Sequence, residues 1–144
     1  LILWRLCRLA HANLSGEGGR LYSGRWHSAG RPIIYTATEP SLAVLEVRVN
    51  LDVPFELLPD DYVLVSIETG PADLETLATL PENPRAHGDA WLQEQRTLLL
   101  AVPSVIIPQA RNVLINPAHP AAAPARIVRA EPFNFDPRLW GVFR

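Results

Sequence analysis

The sequence has no lysine: all thirteen of its basic residues are arginine. Each positive side chain is therefore a planar, five-donor group suited to phosphate or carboxylate, although GC-rich coding produces the same bias. Fifteen acidic residues bring the formal charge to -2, and the arginines are scattered rather than gathered into a run. That pattern excludes a broad electrostatic grip on nucleic acid. Cys7 is the only cysteine, which excludes an internal disulfide and fits a reducing, cytoplasmic compartment. No stretch approaches the roughly 20 apolar residues needed to cross a bilayer. The opening "LILWRLCRL" is broken by Arg5 and Arg8 and reads as a strand, not a signal peptide. Methionine is absent, which carries no functional information. The four histidines, His11, His27, His87 and His119, show no metal-ligand spacing. His87 and Asp89, two apart, are too few to hold an ion, so no metal is expected.

A length of 144 residues, 48% hydrophobic and 19% charged, suits one folded domain spanning 1–144. Residues 1–9 read as a strand. In "HANLSGEGGRLYSG", four glycines interrupt any period, which predicts loop over 11–24. "RPIIYTAT" is strand-like through Ile33, Ile34 and Tyr35. Thr38, Glu39 and Pro40 then mark a helix start, with Thr38 as cap. Leu42, Leu45 and Val49 continue that helix on one apolar stripe and place Glu46 inside a mostly buried element. A carboxylate there must be hydrogen-bonded or paired.

"YVLVSIE" from Tyr62 predicts a strand, "PADLETLATL" a short helix, "PENPRAHG" a turn and "DAWLQEQRTLLLA" a second helix. "PSVIIP" and "RNVLINP" read as two strands joined at Gln109 and Ala110. "NPAHPAAAPARI" suggests one helical turn, and "RIVRAEPFNF" a last long strand. Strands and helices are mixed without a repeated βα unit, so the class expected is α+β, a mixed sheet with flanking helices.

Several chemistries lack their signatures. Ser104, His119 and Asp136 are present, but no GxSxG elbow links them. The glycine-rich loop lacks the Lys-Ser/Thr ending of a P-loop. What remains is "YSGRWHSAGRPIIYTATEPSLAVLEVRV". Glycine-rich backbone beside Arg20 and Arg25, the flat ring of Tyr35 and the carboxylate of Glu46 suit a charged, ring-bearing nucleotide. The same residues also describe a loop with solvated arginines, a core tyrosine and a buried salt bridge.

"SGRWHSAGRPIIYTATEPSLAVLEVRV", "VPSVIIP" and "ARNVLINPAHP" together resemble the RES domain, a family named for arginine, glutamate and serine that supplies the toxin of a bacterial toxin–antitoxin pair. The pieces stand in family order, with Tyr35 ten residues after Arg25 and Glu46 eleven after Tyr35. The resemblance implies a fold related to the ADP-ribosyltransferase toxins, with NAD+ as substrate and no other cofactor. The chemistry it implies is hydrolysis or phosphorolysis of NAD+, or transfer of its ADP-ribose to a protein; a nucleotide-binding adaptor without activity is the non-enzymatic alternative.

Carried over by position, Glu46 stabilises the ribosyl cation, Arg25 and Arg5 grip the pyrophosphate, Tyr35 stacks on nicotinamide, and Ser104 bonds the carboxamide or a phosphate. Asn116 in "INP" matches a family motif, with a structural turn as its other reading. The structural readings of the rest are an Arg25–Glu46 pair, a core Tyr35 and a strand-capping Ser104. The family often has Asn where this chain has His27. The implied partners are an Xre-like helical antitoxin covering the active site, through which alone DNA is reached, and a second toxin copy within the larger complex.

Overall fold

Alternation along the first strand sets the two faces of the molecule. In the computed structural model, which describes residues 1–142, β1 (Ile2–Arg8) sends Leu3 and Cys7 into one core and Leu6 into another. The remaining strands are β2 (Ile34–Ala37), β3 (Tyr62–Glu68), β4 (Leu74–Thr76), β5 (Leu99–Pro103), β6 (Arg111–Ile115) and β7 (Arg126–Pro132). All seven form one sheet in the order β4-β5-β6-β2-β1-β3-β7. Only the β4–β5 pair is parallel, so the sheet is mixed and the α+β expectation holds.

Leu3, Cys7, Val65, Ile67, Ile34, Val113 and Ile115 fill the core on one face. Loop residues such as Leu14 and Ala121 cover it. The other face carries the two longer helices, α2 (Pro40–Arg48) and α3 (Pro84–Glu94). Through Trp91 and Leu92, α3 packs on Leu100, Val102 and Leu114 of β5 and β6. On the β1 side, α2 places Leu42 and Ala43 against Trp4 and Ala37, and Val44 and Val47 against Leu6. Each fully buried aliphatic contributes on the order of 2 kcal/mol by leaving water, and these contacts fix both helices over the sheet.

The sheet is nearly divided at its middle. β1 runs in register with β3 along its whole length, but meets β2 at a single position, Trp4 opposite Ala37. Where the two strands part, no ladder fills the space beneath the helices. A cavity opens there.

Several sequence expectations change. A five-residue helix, α1 (Glu17–Leu21), interrupts the expected loop. Residues 74–76 form the edge strand β4, not a helix, because they pair with buried β5. α3 begins at Pro84 with Asn83 as its cap, inside the expected turn, and ends where Gln95 turns left-handed at φ 50°. The chain from Leu98 to Val102 is buried throughout. It forms the strand β5, with no polar alternation to distinguish it from a helix. "PSVIIP" is consequently a loop after Pro103, and the β5–β6 connection is longer than a two-residue turn. β7 stops at Pro132, and Phe133 and Phe135 leave the sheet to join an aromatic cluster with Tyr62 and Trp140. α2 starts at Pro40 as expected, but Thr38 does not cap it; its hydroxyl lies 3.5 Å from the Arg111 carbonyl. Among the described residues, no helix is long and apolar enough to cross a membrane.

Candidate active site

The cavity, about 1190 Å³, is floored by β1 and β2 and walled by α2, the 24–26 loop and the start of α3. Its size suits a dinucleotide better than a small metabolite. Glu46, Arg25, Tyr35 and Arg5 all border it.

Glu46 is half-buried on the cavity side of α2, a helix that fully buries only Leu42 and Ala43. It therefore lines a cleft and is not sealed in the core. The buried hydroxyl of Ser104 donates to Glu46 Oε1 at 2.9 Å. Ser104 Oγ in turn accepts the backbone N–H groups of Ile106 and Ile107, each at 3.1 Å. Its one donor and both lone pairs are thus engaged. Ser104 orients Glu46 and shapes the loop after β5. Asn50 holds the end of α2 by donating to the Glu46 carbonyl at 2.8 Å. No arginine among the described residues forms an ion pair with Glu46, so the Arg25–Glu46 pairing is not formed.

Arg25 sits at the tip of a tight turn closed by the Gly24 N–H on the His27 carbonyl at 3.0 Å. The turn sends Trp26 into the core and leaves Arg25 exposed. Below it, the Tyr35 hydroxyl accepts the Trp26 N–H at 3.1 Å and lies 2.7 Å from His27 Nδ1. His27 Nε2 lies 2.6 Å from the Gly19 carbonyl. A carbonyl can only accept, so Nε2 carries a proton, and in the neutral imidazole Nδ1 accepts from the Tyr35 O–H. Gly24 permits this arrangement, since a Cβ there would stand 2.6 Å from the Tyr35 hydroxyl oxygen. His27 is buried and belongs to this scaffold. His27 therefore lies beneath the cavity and not on its lining.

Burial pushes the Tyr35 phenol up to about 12, with Arg85 and Arg25 pulling weakly the other way. Its folded value lies above the unfolded one, so the stability it contributes is complete below pH 10 and lost as pH rises through 12. The loss expected is on the order of 2–3 kcal/mol. Ultraviolet titration should show a phenolate step near pH 12 that Tyr35→Phe removes; a step near 10 in its place would contradict the hydrogen-bonded burial.

Two expected site residues have other surroundings. Arg5 stands opposite Val65, on the sheet face away from α2. Its Nη1 donates to the carbonyls of His11 and Asn13 at 2.8 and 3.4 Å. Arg5 borders the cavity but is tied to a loop. Asn116 is buried outside the lining; its side-chain oxygen accepts from the Ala118 N–H at 3.1 Å, the turn reading. Arg85 and Asn112, which the sequence reading passed over, both border the cavity. Their signals were faint: an arginine after an Asn-Pro helix start, and the Asn of "RNVLINP".

Residues 2–136 match the family model of the RES domain. The chain belongs to the RES domain family. A Toxin Res of Pseudomonas putida is 44% identical to this RES domain over 148 residues, covering 97% of the chain and 100% of that protein. A Prs ADP-ribosylating toxin of a Sphingobium species is 37% identical, covering 94% of each. Among solved structures, a chain of the M. tuberculosis MbcT-MbcA toxin-antitoxin complex superposes with a TM-score of 0.73 over 97% of this RES domain and 86% of that chain. At 18% identity that likeness concerns the fold alone.

Proposed function

We propose that this RES domain is the toxin of a bacterial toxin–antitoxin pair and that it breaks the nicotinamide–ribose bond of NAD+. The observation that carries the reading is Glu46, an acid with no cationic partner among the described residues, held by Ser104 on the wall of a cavity that Arg25 also borders. When the C–N bond breaks, its electron pair leaves with nicotinamide and positive charge grows on the ribose. A preorganised carboxylate stabilises that charge most in the transition state. The acceptor then bonds to the anomeric carbon and loses its proton. The rings of Trp4 and Tyr35, which both border the cavity, supply flat faces for the bases.

Water as acceptor makes the chain a glycohydrolase, and phosphate makes it a phosphorylase. A protein acceptor makes it a transferase, a reading favoured by the relative named as ADP-ribosylating. The antitoxin partner is supported by the solved neighbour being a toxin-antitoxin complex. The exposed Val49 and Val105 at the cavity edge offer apolar surface for such a cover.

Incubating the purified chain with NAD+ should release nicotinamide. With labelled NAD+ and cell lysate, label on a protein band identifies the transferase, free ADP-ribose the glycohydrolase and a phosphate-dependent product the phosphorylase. Binding of NAD+ without any turnover would instead establish the adaptor.

A further inference from the structure

Among the described residues, six arginines have carboxylate partners: Arg8, Arg20, Arg96, Arg126, Arg129 and Arg138. None of the six borders the cavity. The three arginines that do, Arg5, Arg25 and Arg85, pair with no acid among the described residues, and away from the cavity Arg31, Arg48 and Arg111 pair with none either. The division matters because an arginine held near a cavity without a counter-charge keeps its donors for an anion that arrives there.

The three are not equivalent. Arg5 lies on the far face of the sheet with one amino group fixed on loop carbonyls. Arg85, in the first turn of α3, donates only through Nε, to the Gly24 carbonyl at 3.1 Å. That bond anchors its guanidinium one residue from Arg25 and leaves both amino groups unbonded within the described chain. Its natural helix partner, Asp89 at i+4, is turned away. Both Asp89 oxygens accept from Ser28, from its N–H and its hydroxyl, each at 2.7 Å. Arg85, Arg25 and Tyr35 all line the same cavity.

We propose that Arg85 joins Arg25 in a two-arginine subsite for the pyrophosphate of the dinucleotide, the position that simple motif transfer gives to Arg5. The inference rests on the NAD+ reading for its ligand, but the subsite itself is for linked phosphates. Arg25 is carried by an exposed turn tip, whereas Arg85 is carried by a helix; the Nε–carbonyl bond couples the two, so one bound pyrophosphate engages both.

The test is calorimetric titration of wild type and Arg85→Gln with ADP-ribose, inorganic pyrophosphate and adenosine. Loss of a charge-assisted, bidentate contact should weaken ADP-ribose and pyrophosphate roughly tenfold or more and leave adenosine unchanged. Equal weakening of adenosine would mean that Arg85 only supports the 24–26 turn, and unchanged affinity for all three would remove it from the site; either result overturns the proposal. Should wild type bind pyrophosphate but not ADP-ribose, with pyrophosphate lost in Arg85→Gln, the subsite stands and the NAD+ reading falls. Failure of wild type to bind any phosphate-bearing probe overturns the subsite as well.

Discussion

Glu46→Gln is expected to lower nicotinamide release from NAD+ about a hundredfold or more while leaving thermal unfolding nearly unchanged. Glutamine keeps the size of the side chain and an oxygen for the Ser104 hydroxyl, which donates to Glu46 Oε1 at 2.9 Å. What it removes is the negative charge facing the ribosyl cation. Because Glu46 is half-buried on a cavity wall and not sealed in the core, the neutral side chain meets no new desolvation cost. Steady-state nicotinamide release, read beside the melting curve, separates chemistry from folding. Full turnover by the variant would sink the mechanism. Ser104→Ala should show a smaller rate loss, about tenfold, and a stability cost of about 1–3 kcal/mol, since the N–H groups of Ile106 and Ile107 lose their acceptor.

Gly88→Ala should be the most damaging single change to the fold that touches no ligand. Gly88 is buried in α3, and a Cβ added there would land on the carbonyl oxygen of Trp26. A backbone oxygen cannot swing aside as a side-chain end can, so helix and turn must separate. Their separation strains the Arg85–Gly24 and Asp89–Ser28 bonds and uncovers Trp26, which is otherwise 3% exposed. A loss of about 3 kcal/mol or more is expected in urea denaturation, together with lower affinity for phosphate-bearing ligands. The control is Gly18→Ala, where a Cβ meets nothing within 4 Å; inside α1 it should be neutral or stabilising by up to about 1 kcal/mol. Wild-type stability in Gly88→Ala would contradict the packing of α3 on the turn.

How far these features could be read beforehand varied with how local their causes are. Pro40 and the stripe from Leu42 announced α2, and the spacing from Arg25 through Tyr35 to Glu46 announced three residues that the fold brings around one cavity. Leu98 to Val102 could not be read the same way, because burial on both faces erased the alternation that distinguishes a strand. Nothing near Gln95 signals its left-handed turn, so the sequence pattern alone extends the helix through β5. The facing of Arg5 was available in "LILWRLCRL", where Leu3, Arg5 and Cys7 share one side by alternation, but motif order outweighed it. Ser104 illustrates a different limit. Its position after Pro103 was legible, but its bond to a glutamate 58 residues earlier depends on α2 lying over the sheet. The contribution of α3 was hidden for the same reason, since Arg85, Gly88 and Asp89 act on a turn 61 residues away.

The single Trp4–Ala37 pair at the middle of the sheet bears on how the protein comes into being. Strands 1, 3 and 7 make one ladder and strands 2, 6, 5 and 4 the other, and the two sets interleave along the chain. Neither ladder can form from one contiguous segment, so closing them requires long-range contacts that are slow to find. The lining runs from Trp4 to Asn112. A nascent chain that has not yet emerged through β6 therefore has no complete cavity, and a polypeptide cut before β5 contains the Arg25, Tyr35 and Glu46 segments without the serine loop that aims the acid.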